Sequence, residues 1–133
     1  MLGPVPALVI GMNTRALRIL MIEDDMHLGP ALRELLAVQG YDVDLAQSAK
    51  EAFRALASGD FQIAVLDLEL GKESGVELIE KLRREGHRVP ALVILSAQPQ
   101  DVRGRAALRT GALVTLQKPC SVQILNRAIE GVV

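Results

Sequence analysis

Five short apolar runs, at residues 18–23, 42–45, 63–67, 91–96 and 113–117, alternate with segments whose apolar residues recur every three or four positions. Three of the runs are continuous: Ile19-Leu20-Met21-Ile22, Ile63-Ala64-Val65-Leu66 and Leu92-Val93-Ile94-Leu95. Unbroken apolar runs of this length suit parallel strands covered on both faces. The run at 42–45 differs, because Asp42 and Asp44 alternate with Val43 and Leu45. That pattern predicts an edge strand.

The intervening segments read as helices. Pro30 suits a first turn, and Leu32, Leu35, Leu36 and Val38 form a stripe that Gly40 ends. Ser48 and Glu51 make a capping box ahead of Ala52, Phe53 and Leu56, and Gly59 closes that helix. Val76, Leu78, Ile79 and Leu82 mark a third helix ending near Gly86. The fourth, about 101–110, has the weakest pattern, since Gly104 interrupts it and few residues are apolar. Ser121 caps the fifth, which carries Ile124, Leu125, Ala128 and Ile129. Five βα units in succession predict right-handed crossovers and an α/β fold, a doubly wound five-stranded parallel sheet.

Composition narrows this picture. The 133 residues suit one domain, and the only aromatic residues are Tyr41, Phe53 and Phe61, so the core must be aliphatic. Fifteen basic against sixteen acidic residues argue against general nucleic-acid binding. One cysteine, Cys120, excludes an internal disulfide and suits a reducing cytoplasm. Residues 1–12 are apolar and contain Pro4 and Pro6, but fall short of the roughly 20 residues of a membrane helix. They also lack the basic start of a secretory signal. Residues 1–16 are expected to form a disordered extension and 17–133 the domain, with Met12 an alternative start.

Function in such a sheet gathers where the strands' carboxyl ends point. The first strand ends in Glu23-Asp24-Asp25, the third in Asp67, the fourth in Ser96 and the fifth in Lys118-Pro119. Two carboxylates about 4 Å apart repel by about 4 kcal/mol at an effective dielectric near 20. Three beside one lysine call for a cation, and hard oxygen ligands that leave room for water and phosphate suit Mg²⁺. Metal and lysine together would neutralise charge while a carboxylate attacks a phosphoryl group.

At these residues the chain resembles the receiver domain of bacterial two-component response regulators, over about residues 18–131. Ile19-Leu20-Met21-Ile22-Glu23-Asp24-Asp25 is similar to the family's opening motif, and Val65-Leu66-Asp67-Leu68-Glu69-Leu70-Gly71-Lys72-Glu73-Ser74-Gly75 to its phosphorylation loop. The resemblance implies a flavodoxin-like (βα)5 fold with strand order 2-1-3-4-5. It implies that Asp67 accepts the phosphoryl group and ligates Mg²⁺, with Asp24 a direct ligand, Glu23 acting through water, and Glu69 offering its backbone carbonyl. Lys118, followed by a cis-proline, pairs with Asp67 before transfer and with the phosphate afterwards. Ser96 holds another phosphate oxygen and switches contacts on the face formed by the fourth helix, fifth strand and fifth helix. Glu69 and Gln98 border the phosphate and are expected to tune the acyl-phosphate lifetime. The implied partners are a sensor histidine kinase or phosphotransfer protein and a possible second copy through that face, with no direct nucleic acid or membrane contact. Such a protein is cytoplasmic and is a signalling phosphoacceptor rather than an enzyme. It either acts alone or belongs to a longer regulator.

Three departures from the family pattern stand out. Gly71 replaces the usual proline and is expected to loosen the loop, while Cys120 replaces the usual phenylalanine, with a redox role disfavoured. Thr115 falls where many receivers carry a swinging aromatic, so coupling is expected without an aromatic gate. Asp25 and His27 read as solvated loop residues. The alternative reading is a degenerate receiver that only docks or dimerises. A flavodoxin-like cofactor binder is disfavoured by acids after the first strand, and an aspartate phosphohydrolase by the lack of any cap domain.

Overall fold

The computed structural model describes residues 16–133, so most of the expected extension, residues 1–15, lies outside the described residues. The long elements are β1 (Arg18–Ile22), α1 (Leu28–Val38), β2 (Asp42–Ala46), α2 (Ala49–Ala57) and β3 (Ile63–Leu66). They continue as α3 (Gly75–Arg84), β4 (Ala91–Ser96), α4 (Gln100–Thr110), β5 (Val114–Gln117) and α5 (Val122–Val132). These strands form one parallel sheet in the order β2-β1-β3-β4-β5, the expected order. A small antiparallel ribbon pairing Glu69–Leu70 with Glu73–Ser74 was not foreseen.

The two-residue period of the strands divides the core. Leu20, Ile22, Ala64, Leu66, Leu92 and Ile94 pack on one face against Leu56 of α2, Ile79 and Leu82 of α3 and Ala106 of α4. Ile19, Met21, Ile63, Val65, Val93 and Leu95 pack on the other against Leu32 and Leu36 of α1 and Leu125 and Ile129 of α5. Alternate residues of β1, β3 and β4 thus face opposite helical layers, which is why those runs have no polar interruption. In α1 the stripe is narrower than expected: Leu32 and Leu36 are buried, whereas Leu35 and Val38 are exposed. Buried Gly29, lying against Leu45, and half-buried Leu28 complete the seat of this helix.

Local chemistry starts and stops the helices. Ser48 Oγ accepts from the Glu51 N–H at 3.1 Å, and Glu51 reaches back to the Gln47 N–H at 3.0 Å. Ser121 Oγ accepts from the Ile124 N–H. Asp25 is more than a solvated residue, since its Oδ1 accepts from the N–H groups of His27 and Leu28, each at 2.8 Å, where α1 begins. Its carboxyl is accordingly held below its ordinary pKa by those two backbone donors. The weakly patterned α4 ends on Gly111, whose φ of +78° closes it in the left-handed conformation. At the margin of the sheet, Arg18 of β1 pairs with Asp42 and Asp44 of β2 and with Asp60. No helix among the described residues is long and apolar enough to cross a membrane.

Candidate functional site

The strand register brings the sequence-predicted acids together. β1 and β3 pair in parallel as far as Ile22 and Leu66, so Glu23 and Asp67 leave the sheet side by side. The Asp67 N–H extends that ladder to the Ile22 carbonyl at 3.1 Å. Glu23, Asp24 and Asp67 each present a carboxylate oxygen within 4.8 Å of the others. Glu23 and Asp67 are buried, and Asp24 is half-buried.

Lys118 reaches both buried acids. Its Nζ lies 3.1 Å from Asp67 Oδ2 and also contacts Glu23 Oε1. Its own N–H donates to the Ser96 carbonyl at 2.9 Å, and the following bond to Pro119 is cis. The end of β4 therefore fixes where the lysine starts. The other Asp67 oxygen accepts from the Glu69 N–H at 3.2 Å.

Two acids sharing one lysine leave negative charge uncompensated. Burial raises the pKa of Glu23 and repulsion from Asp67 adds to it, outweighing the hydrogen bonds from Lys118 and the Asp25 N–H. For Lys118 burial opposes the charge, but the Glu23 and Asp67 carboxylates prevail and raise its pKa above the ordinary 10.5. This donor set fits a small hard cation: three carboxylate oxygens, one of them on a partly exposed residue, with charge to spare. Glu69 is expected to offer its main-chain carbonyl, and its carboxylate is engaged elsewhere, by the Gln98 side-chain amide at 2.5 Å.

Ser96 is fully buried at the end of β4, and its Oγ accepts from the Gln98 N–H at 3.1 Å. Two glycines shape the loop after β3. A Cβ on Gly75 would lie 2.4 Å from the Asp67 carbonyl oxygen, so the start of α3 can approach the acidic residue only without a side chain. Gly71, expected to loosen the loop, carries a tie that a proline there would lack. Its N–H donates to Asp24 Oδ2 at 2.8 Å, and its φ of +64° is closed to proline, which also lacks that N–H. At Cys120 burial raises the thiol pKa, and the Sγ–H points to the Ser121 carbonyl at 3.4 Å, an unreactive setting.

Sequence reasoning passed over Arg103. It is buried, with Nε donating to the Gln98 carbonyl at 2.9 Å and Nη1 to Thr115 Oγ1 at 3.0 Å. The available signal was its spacing, because Arg103, Ala106 and Thr110 form the buried stripe of α4.

The arrangement is that of an acidic pocket at the carboxyl end of a doubly wound sheet, with one lysine reaching into it and one buried hydroxyl residue at the end of the strand next to β3. Residues 19–130 match the family model for the response regulator receiver domain, and the chain belongs to that family. It is 36% identical over 108 residues to the response regulator MprA of Mycolicibacterium vanbaalenii, covering 81% of this chain and 46% of MprA. The chemotaxis protein CheY4 of Vibrio cholerae shares the fold at a TM-score of 0.81, with 18% identity over 90% of this chain and 100% of that one. A response regulator from Burkholderia pseudomallei, solved with a phosphorylated aspartic acid and a calcium ion, is 27% identical. It aligns at a TM-score of 0.75 over 84% of this chain and 65% of its own. The chain spans about half the length of the curated relatives it matches.

Proposed function

We propose that this receiver accepts a phosphoryl group on Asp67 in a Mg²⁺-dependent reaction, from a histidine kinase or phosphotransfer protein. One observation carries the reading. The Asp67 carboxylate ends β3 with Lys118 on one oxygen and the Glu69 N–H on the other, beside the Glu23 and Asp24 carboxylates. Glu23, Asp24, Asp67 and the Glu69 carbonyl would hold the metal. When bound, Mg²⁺ supplies charge neutralisation between the acids and the incoming phosphoryl group.

The chain's own groups do the rest. An Asp67 oxygen forms a bond to phosphorus as the bond from phosphorus to the donor nitrogen breaks, giving an acyl phosphate and a free imidazole. Lys118, shared between Glu23 and Asp67, transfers its hydrogen bond from Asp67 to a phosphoryl oxygen. Ser96 turns its hydroxyl to another. Glu69 and Gln98, bonded to each other at the rim, limit the approach of water and so set the lifetime of the product. The output is a change in protein contacts on α4, β5 and α5, where Leu108 of α4, Leu113 just before β5 and Ile124 of α5 stand exposed as apolar anchors for a target or a second copy. The domain spans residues 17–133 and works in the cytoplasm as a signalling phosphoacceptor.

Intact mass after incubation with Mg²⁺ and acetyl phosphate tests this. Wild type is expected to gain one phosphoryl group, and Asp67→Asn or removal of Mg²⁺ to abolish the gain. No gain in wild type, together with no binding of beryllium fluoride, would replace this reading with that of a docking module that is never phosphorylated.

A further inference from the structure

Arg103 is the one buried cation among the described residues, and no carboxylate there lies within ion-pair distance of it. Its partners are two neutral oxygens, the Gln98 carbonyl and the Thr115 hydroxyl. A buried charge is costly unless its donors are well placed, so this position is specific. The threonine is too small to fill the place of an aromatic ring. Arg103 comes across from α4 and binds it instead.

Gln98 connects this pocket to the acidic one. Its N–H donates to Ser96 Oγ, its side-chain amide donates to Glu69 Oε1, and its carbonyl accepts from Arg103. Under the phosphoacceptor reading the first two ties end on groups that phosphorylation disturbs. The Ser96 hydroxyl turns toward a phosphoryl oxygen, and the added negative charge repels the Glu69 carboxylate. The third tie leads away, through Arg103, to α4 and to Thr115 on β5.

We propose that Arg103 is a positioning residue that latches residues 97–99 in their unphosphorylated arrangement, and that its bond to Thr115 couples the acidic pocket to the α4–β5 surface. The inference rests on the phosphoacceptor reading. A shift of Gln98 withdraws its carbonyl from the guanidinium, so α4 must follow the loop or release it. A ligand that favours the shifted loop works against the latch, and weakening the latch raises the apparent affinity for that ligand.

Beryllium fluoride with Mg²⁺, titrated into the protein and followed by amide NMR, reads this directly. Thr115→Val removes the acceptor with little change in shape, and Arg103→Lys keeps the charge but cannot span both oxygens. Each variant is expected to bind beryllium fluoride about two- to tenfold more tightly than wild type. The double variant should gain less than the two single gains combined, because both break one bond. Before ligand is added, the Gln98 and α4 amides of the variants should lie shifted toward the wild-type bound positions. Wild-type affinity and unmoved amides in both variants would overturn the latch, even if their thermal stability falls. Failure of wild type itself to bind would overturn the phosphoacceptor reading, and the latch with it.

Discussion

At the ends of β1 and β3 two buried carboxylates share a single lysine, while beneath α4 a buried guanidinium is held by two neutral oxygens. Both leave charge without a full counterpart, a surplus of carboxylate in the first and a lone cation on neutral oxygens in the second. Only in the first do ionisable groups compete for one partner. Glu23 responds by holding its proton to a higher pH, a perturbation that a cation beside it would relieve. The Arg103 pocket needs no such addition. No buried side-chain nitrogen or oxygen among the described residues lacks a partner, so the guanidinium is part of the finished fold. Poised electrostatics and satisfied geometry thus lie on either side of one loop, joined by Gln98.

That contrast can be broken in order of effect. Lys118→Ala leaves Glu23 and Asp67 facing each other without a cation. In the absence of metal it should cost about 2–3 kcal/mol by urea denaturation, somewhat less than a fully buried pair because the lysine is partly exposed. Saturating Mg²⁺ should recover much of the loss; equal losses with and without Mg²⁺ would show that the acids do not need a cation. Arg103→Met strands two neutral acceptors and should cost about 1–2 kcal/mol, with Mg²⁺ making no difference to the loss. A Mg²⁺-sensitive loss would merge the two pockets into one electrostatic unit.

The smallest effect is on pH dependence. Glu23 has a folded pKa above its ordinary 4.5, so between that value and the raised one the fold binds more protons than the unfolded chain. Metal-free stability should therefore decline across that window as pH rises, by at most about 1.4 kcal/mol per pH unit. Glu23→Gln should remove that share of the slope, which comparison of the two proteins' urea midpoints against pH would reveal. Identical slopes would mean that Glu23 ionises in the fold as it does in the unfolded chain.

The strands and the acidic pocket were legible because their signals are strong and local. A run such as Leu92-Val93-Ile94-Leu95 has no polar residue to place in solvent, and the strand-end positions of Glu23, Asp67 and Lys118 follow from the topology alone. Caps at Ser48 and Ser121 have a fixed spacing and were read correctly. What escaped depended on tertiary packing or on backbone donors. Leu35 and Val38 look like part of a stripe until α1 is seated on Gly29, Leu32 and Leu36. The Gly71 N–H is invisible in a composition-based reading, which registers only a missing proline. Arg103 was missed because an arginine is assumed to face water, and its burial rests on the Gln98 carbonyl and the Thr115 hydroxyl, which only tertiary packing places around it.

The aspartates of β2 have a consequence away from signalling. Asp42 and Asp44 stand on the margin of the sheet, steadied from behind by Arg18. A second molecule adding its own β2 there would bring one row of aspartates against another, and like charges facing each other across strands repel. In crowded conditions this border therefore resists the strand-by-strand growth that leads to aggregates, and leaves helix-mediated contact as the easier way for copies to meet.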